Sequence, residues 1–426
     1  MTMATTSTTA SPTVFGSAQQ VVERLAVAQG DDFRAAGRTH GFLVLVTTAH
    51  ALLNFGIIGQ AGIVGAMHED MVRQAGSRQS GEVVLLLAGG LGAFGGNMVT
   101  GWWMDHFPSH YLFAACAFAS AVNLGVMPHV SGLPAIATCN VLIQLGVGIG
   151  DCSYGALGWV ARECGVSKDG AYTSIKNLGT GLGLAVLMGM AILLDYGSLA
   201  YTWSAVCLLA GSLILAMPSP TPPEGATVAR ETPGQARAIA WRETLVVCAG
   251  GLLSAVVVGI FVTSLNLTAN WIGTAASRQL LLCMLCMNIL GQLLMAPIMQ
   301  RLPPAAAHMI LLSISAVGCL LTGVAFAMQE RNYVLIYTGY SLVGATLLSN
   351  FAVVFTFMSS LVSLSGSRSS IIGLGAALNP FFSAAAAVMQ PAVVWIVSAC
   401  LLLVMAAVVV LLEVFGARFV QRPRID

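Results

Sequence analysis

Few residues in this nearly uncharged sequence can do chemistry, and their spacing limits what that chemistry can be. Asp151 closes the segment QLGVGIGD, residues 144–151, inside an apolar run. A carboxylate in such a place costs about 2.5–3.5 kcal/mol on insertion scales unless it faces a cavity or a partner. It is therefore a candidate for proton coupling or substrate contact. In TTAHALLNFGIIGQAG, residues 47–62, His50 and Asn54 stand four apart. That spacing puts them on one helix face, able to line one cavity wall, and a histidine takes up a proton near neutral pH. Gln60 follows in the same run, and Gln144 begins the segment that ends at Asp151. Asp151, His50, Asn54, Gln60 and Gln144 are thus the expected proton-coupling or substrate-facing set. The second half of the chain offers mainly neutral groups, Asn266, Asn288, Gln292, Asn350 and Asn379.

A different chemistry is open in CMLCMNILGQLLMAPIM, residues 283–299. Cys283, Cys286 and Met287 fall at i, i+3 and i+4, and such sulfur ligands suit a soft ion such as Cu(I). The alternative is packing, since methionine is a routine gap-filler, and no bound metal is the first expectation. There is no phosphate-binding P-loop and no pair of catalytic carboxylates, so neither an ATP-driven pump nor an enzyme is expected, and no cofactor is implied. A formal net charge of +1 leaves no basic surface for nucleic acid.

The elements that must position these residues are membrane helices. Of 426 residues, 57% are hydrophobic and 8% charged, against roughly 25% charged in soluble domains. A bilayer-crossing helix needs ~20 apolar residues. Twelve such runs are read at 41–66, 82–104, 110–130, 133–161, 171–196, 198–217, 244–266, 278–300, 306–328, 333–361, 370–390 and 392–415. The fold class is an all-α polytopic membrane protein of two six-helix bundles, 41–217 and 244–416. A hydrophilic loop at 218–243 joins them, and tails at 1–40 and 417–426 flank them. The first 40 residues hold no apolar signal-peptide core, so the first span is expected to direct insertion. The ten cysteines are scattered, mostly inside apolar runs, which favours buried thiols over a disulfide framework.

Orientation follows from the 18 Lys and Arg residues. Fourteen fall on the side of the termini and the central loop, and four, Arg73, Arg78, Arg278 and Arg331, on the other. The positive-inside rule then makes both termini cytoplasmic. Lys176 is counted with the fourteen, as a side chain snorkelling to the cytoplasmic surface. The two halves also repeat weakly. A shift of 195 lays Gly96 and Met104 over Gly291 and Met299, and a shift of 196 lays SIKNLG, 174–179, over SIIGLG, 370–375.

Twelve spans, cytoplasmic termini, a hydrophilic central loop and a six-plus-six repeat together resemble the major facilitator superfamily (MFS) of secondary transporters. The specific match is G-x-x-x-D at Gly101 and Asp105 in GWWMDHFPSH, residues 101–110. The family continues this motif with basic residues, where this chain has His106, Ser109 and His110. The resemblance implies that Asp105 acts as a conformational latch against helix N-termini or cations of a neighbouring span, with Gly101 permitting close approach. Gln144 and Gly148 occupy the places of an R-x-x-x-G pattern found in drug-antiporter branches. KNLGTGLG, with Gly179, Gly181 and Gly183, resembles the antiporter motif whose small residues govern closure, without its usual proline. In the eleventh span, Asn379 followed by Pro380 marks a bend that a gating motion could use.

The activity implied is proton-coupled secondary transport by alternating access, by a monomer in the plasma (inner) membrane. Its partners would be a small-molecule substrate, protons and the lipid bilayer. The first reading is an exporter of a small organic molecule such as a drug or siderophore-like metabolite. Import of a nutrient or of a metal ion such as copper stays open, as does a non-transporting receptor or assembly factor of the same fold.

Overall fold

Apolar runs of this length cannot leave backbone N–H and C=O groups unpaired in lipid, so each must close its hydrogen bonds within itself as a helix. The computed structural model describes residues 39–66, 70–71, 73, 79–107, 109–163, 170–217, 241–328, 330, 332–362 and 366–416. Among these residues there is no strand. The helices are α1 (Thr39–Ile63), α2 (Gln79–His106), α3 (Ser109–Val126), α4 (Leu133–Glu163), α5 (Gly170–Leu193) and α6 (Tyr196–Ala216). They continue with α7 (Trp241–Ile272), α8 (Thr274–Arg301), α9 (Pro304–Ala327), α10 (Tyr333–Leu361), α11 (Gly366–Ala376), α12 (Asn379–Ala387) and α13 (Pro391–Leu411).

Eleven described helices are long and apolar enough to cross a membrane, and the chain is an integral multi-pass membrane protein. The expected eleventh span, 370–390, is not one continuous helix. It breaks into α11 and α12 at a turn over residues 377–378. Pro380 sits in the first turn of α12, where its missing N–H does least harm. Counting α11 and α12 as one crossing puts residues 39 and 416 on the same face of the bundle, the terminal face.

Local signals set several ends. Asp195 caps α6, its carboxylate accepting from the Ser198 backbone N–H at 2.8 Å. That hydrogen bond holds its carboxyl below the usual carboxylate range. Asn332 caps α10 in the same way, through the Leu335 N–H at 3.2 Å. Gly273, at φ 87°, makes the sharp turn from α7 to α8, a conformation that L side chains avoid.

The internal repeat of the sequence is a repeat of contacts. Gly96 of α2 lies against the α4 backbone at Leu145, and its counterpart Gly291 of α8 lies against the α10 backbone at Ala345. Gly179 of α5 lies on Ala51 of α1, and Gly375 of α11 lies on Gly251 of α7. In each case an added Cβ would collide with main-chain atoms, so these glycines fix how closely equivalent helices approach. The terminal-face ends are tied in parallel fashion. Tyr172 of α5 bonds His40 of α1 at 2.9 Å, and Arg368 of α11 pairs with Glu243 of α7 at 3.0 Å.

α1 is not uniform. Residues Asn54–Ile58 form a π-helical turn, and the Gly56 carbonyl accepts the indole N–H of Trp203 in α6 at 2.9 Å. Beyond a turn at Gly59 and Gln60 the chain is helical again from Ala61.

Candidate substrate cavity between the two halves

Asp151 lies midway along α4, where the chain alternates Gly146, Gly148 and Gly150. Gly148 packs against α2 at Ala93, while an added Cβ at Gly150 would meet Ile58 of α1 at 2.6 Å. These glycines draw α1 and α2 onto α4 and leave the next residue, Asp151, at the seam with the other half.

There it lines a pocket with about 580 Å³ of empty space, open solvent included. The first half contributes Asp151, Gln144 and Thr180 among apolar neighbours, and the second contributes Asn379. The opposite wall is apolar, built from Val258, Phe261, Val262 and Leu265 of α7 with Leu348 and Phe351 of α10. One carboxyl, two amides and a hydroxyl facing an apolar wall can hold a small organic molecule by a polar end while burying its body. That composition is usual for ligand sites.

On the terminal side of this cavity the halves touch directly. The Asn177 amide of α5 donates to the Leu348 carbonyl of α10 at 2.8 Å. Gly181 of α5 faces Asn288 and Gln292 of α8, and Gly373 of α11 faces the Asn97 side chain of α2. Asn288 is itself held to the Gly344 carbonyl at 3.0 Å. A smaller cleft of about 240 Å³, lined by Ser174, Asn177, Gln292, Ser349 and Thr356 among others, lies between α5, α8 and α10. The structure is therefore closed beneath the larger cavity toward the terminal face.

The remaining expected residues are placed elsewhere. His50 is buried in the first half, its Nδ1 bonded to the Val46 carbonyl at 2.7 Å and its ring edge-on to Phe113 of α3 at 4.9 Å. Neither His50 nor Asn54 is among the cavity-lining residues, so the shared wall expected from their spacing does not form there. Their helix turns that face into the first half, toward α3 and α4. Gln60 is also internal, its amide donating to Ser120 of α3 at 3.0 Å and to the Ile143 carbonyl at 3.3 Å. Gly101 is buried at the terminal end of α2. The side chains of Asp105, His106, Asn266 and Pro380 lie outside the described residues, as do those of Arg162 and Glu163.

The glycines of α5 divide their work. Gly179 and Gly183 pack on α1, at Ala51 and Phe55, whereas Gly181 packs across the seam on α8. Cys283 is half-buried beside Ser341 at 3.6 Å, and Cys286 is exposed on the bundle surface. Among the described residues no group of three or more His, Cys, Asp or Glu could hold a metal ion.

Lys176 requires a correction. It does not snorkel to a surface but is wholly buried, 0% exposed, with Nζ donating to the Gly150 carbonyl at 3.4 Å. Seven residues into α5, it meets α4 before it could reach the end of the bundle. Fourteen cations on the terminal side less Lys176 leaves thirteen against four, so the bias stands. Sequence reasoning also missed Thr180 and the aromatic wall, which nothing but tertiary packing reveals. His308 of α9, which follows the sulfur-rich segment in sequence, is fully buried, with Nδ1 on the Asn350 Oδ1 at 2.9 Å.

No protein-family model matches this sequence, and no curated protein matches it. Among solved structures, the chain is similar to the MFS proton:xylose symporter XylE bound to 6-bromo-6-deoxy-D-glucose. The TM-score is 0.67 at 14% identity, over 89% of this chain and 96% of that one. It is similar as well to a partially occluded, inward-open form of the xylose transporter XylE from E. coli, with the same TM-score over 91% and 99%. The nucleoside transporter NupG matches at TM-score 0.56 and 15% identity, over 86% and 99%. Identities this low show the fold alone: the helices are arranged as in these solved transporters.

Proposed function

We propose that this protein is a proton-coupled secondary transporter that moves a small organic molecule by alternating access. The observation that carries the reading is Asp151, a carboxyl buried within the spans that lines a cavity at the seam of two repeated halves. A charge in that place is expensive, and alternate exposure of the seam would let it exchange protons with each side in turn.

The six-helix units are assigned to 41–217 and 244–416, with both termini and the 218–243 loop in the cytoplasm of a plasma (inner) membrane monomer. Asp151 carries the proton, while Gln144 and Asn379 orient the substrate against the apolar wall. His50, Asn54 and Gln60 support α1 from within the first half. Gly101 and Asp105 latch α2, and Gly179, Gly181 and Gly183 with the Asn379–Pro380 break allow the halves to rock.

Export of an amphipathic metabolite or drug suits the apolar wall. Import is the second reading, favoured by the likeness to a proton:xylose symporter. Copper is disfavoured by the exposed Cys286 and by the separation of Cys283 from the cavity. Growth of a deletion strain across toxic compounds, metals and iron-limited media tests the reading. We expect at least one condition to distinguish the deletion, to be corrected by the wild-type chain and not by Asp151→Asn. Full correction by Asp151→Asn would remove Asp151 from the mechanism.

A further inference from the structure

A lysine ammonium inside the spans is as unfavourable as a carboxylate, and each persists there only with an opposite charge or a dense set of dipoles nearby. Lys176 has both. Its Nζ reaches the carbonyl of Gly150, the residue preceding Asp151, and the Asp151 and Lys176 side chains lie within electrostatic reach of each other. The geometry is directional: Asp151 lines the cavity and Lys176 does not. A ligand or proton arriving from the cavity therefore meets the carboxylate with the lysine on its far side. Among the described residues, the other titratable groups facing Lys176 are His50 of α1 and Cys152 of α4. The walls from α7, α10 and α12 add only apolar residues and Asn379.

We propose that Lys176 is the tethered counter-ion of Asp151, a positioning residue that keeps the cavity carboxylate ionised until a proton or a substrate cation displaces it. This rests on the reading of Asp151 as the coupling group and adds the element that sets its proton affinity. At rest the buried pair is neutral, so the first half carries no uncompensated charge. When Asp151 is neutralised from the cavity side, Lys176 loses its partner. Since Lys176 belongs to α5 and Asp151 to α4, that event alters how α5 is held, and α5 is the helix bonded across the seam through Asn177 and packed across it at Gly181.

The test is pH-difference infrared spectroscopy of the full chain in lipid nanodiscs, reading the C=O band of the protonated carboxyl that Asp151→Asn abolishes. Removing a neighbouring cation makes protonation easier. Lys176→Met is therefore expected to move the midpoint of that band toward alkaline pH by roughly one unit or more. Lys176→Arg, which keeps the charge, is expected to leave it near the wild-type position. An unchanged midpoint in Lys176→Met overturns the proposal. Thermal unfolding gives a second decision. Each single neutralisation should lower the midpoint, and the double variant Asp151→Asn/Lys176→Met should recover most of the loss, whereas additive losses overturn the pairing. If Lys176→Met does not fold, recovery of folded protein in the double variant supports the pair, and loss of both contradicts it. Neither measurement needs a substrate, so a failed pairing leaves the transport reading intact. Conversely, full coupled transport by Asp151→Asn would sink that reading and leave the pairing.

Discussion

Asp151, Gln144, Thr180 and Asn379 meet at one cavity although they come from three helices and both halves of the chain. For a substrate held by the two amides, replacing Gln144 or Asn379 with Ala removes one neutral hydrogen bond. The expected loss of affinity is roughly five- to tenfold, readable as a rise in Kd by scintillation proximity or calorimetry once a ligand is found. His308 and Asn350 make a different prediction. Their bond of 2.9 Å lies wholly inside the second half, away from the cavity lining. His308→Phe would leave the Asn350 amide buried without its partner and destabilise the protein by about 1–3 kcal/mol. Thermal unfolding would register this, while substrate affinity should stay within twofold (~0.4 kcal/mol) of the wild type.

At the scale of elements, function depends on how closely helices approach. Gly181 faces Asn288 and Ile289 across the seam, where an added Cβ would lie 2.7 Å from the Asn288 amide oxygen. Gly181→Val should cost about 1–3 kcal/mol in the closed arrangement and hold α5 away from α8. A cysteine placed at Ser349 in the adjoining cleft would then react faster with a membrane-impermeant maleimide applied from the terminal face. Equal reactivity with and without the substitution would contradict a gating role for this contact. Asn177→Ala, which removes the bond to the Leu348 carbonyl, should shift reactivity in the same direction by a smaller factor.

Much of this was legible in the sequence, because apolar run length, the glycine repeats and the Asn379–Pro380 break are all local signals. Asp151 was legible for the same reason, as an acid that no apolar run tolerates idly. Lys176 was not. A lysine near a helix end reads as snorkelling, and only the packing of α5 on α4 shows that the end is out of reach. The orientation of His50 and Asn54 is likewise not a local signal: the four-residue spacing establishes that they share a face, but the neighbours of α1 decide which way that face turns.

For the whole molecule, equivalent glycine contacts recur in the two halves of the chain, as the proposed pair of six-helix units requires. On the terminal side the halves touch through Asn177 and Gly181, α12 also packs on α2, and the proposed alternating access requires such contacts to form and release in turn. We propose, from the positive-charge bias, that this side faces the cytoplasm. Reporter fusions at residues 1 and 426 should both be active as cytoplasmic fluorescent proteins and inactive as periplasmic phosphatase, and a phosphatase signal at either end would reverse the orientation. Transport itself is the central claim, and substrate-dependent proton movement in proteoliposomes loaded with a pH-sensitive dye tests it most directly. With a compound identified from the growth panel, the wild-type chain should produce a pH change that depends on that compound, and Asp151→Asn should abolish the change. A wild-type chain that moves the compound with no accompanying proton, or a variant that retains the full pH response, would contradict the account.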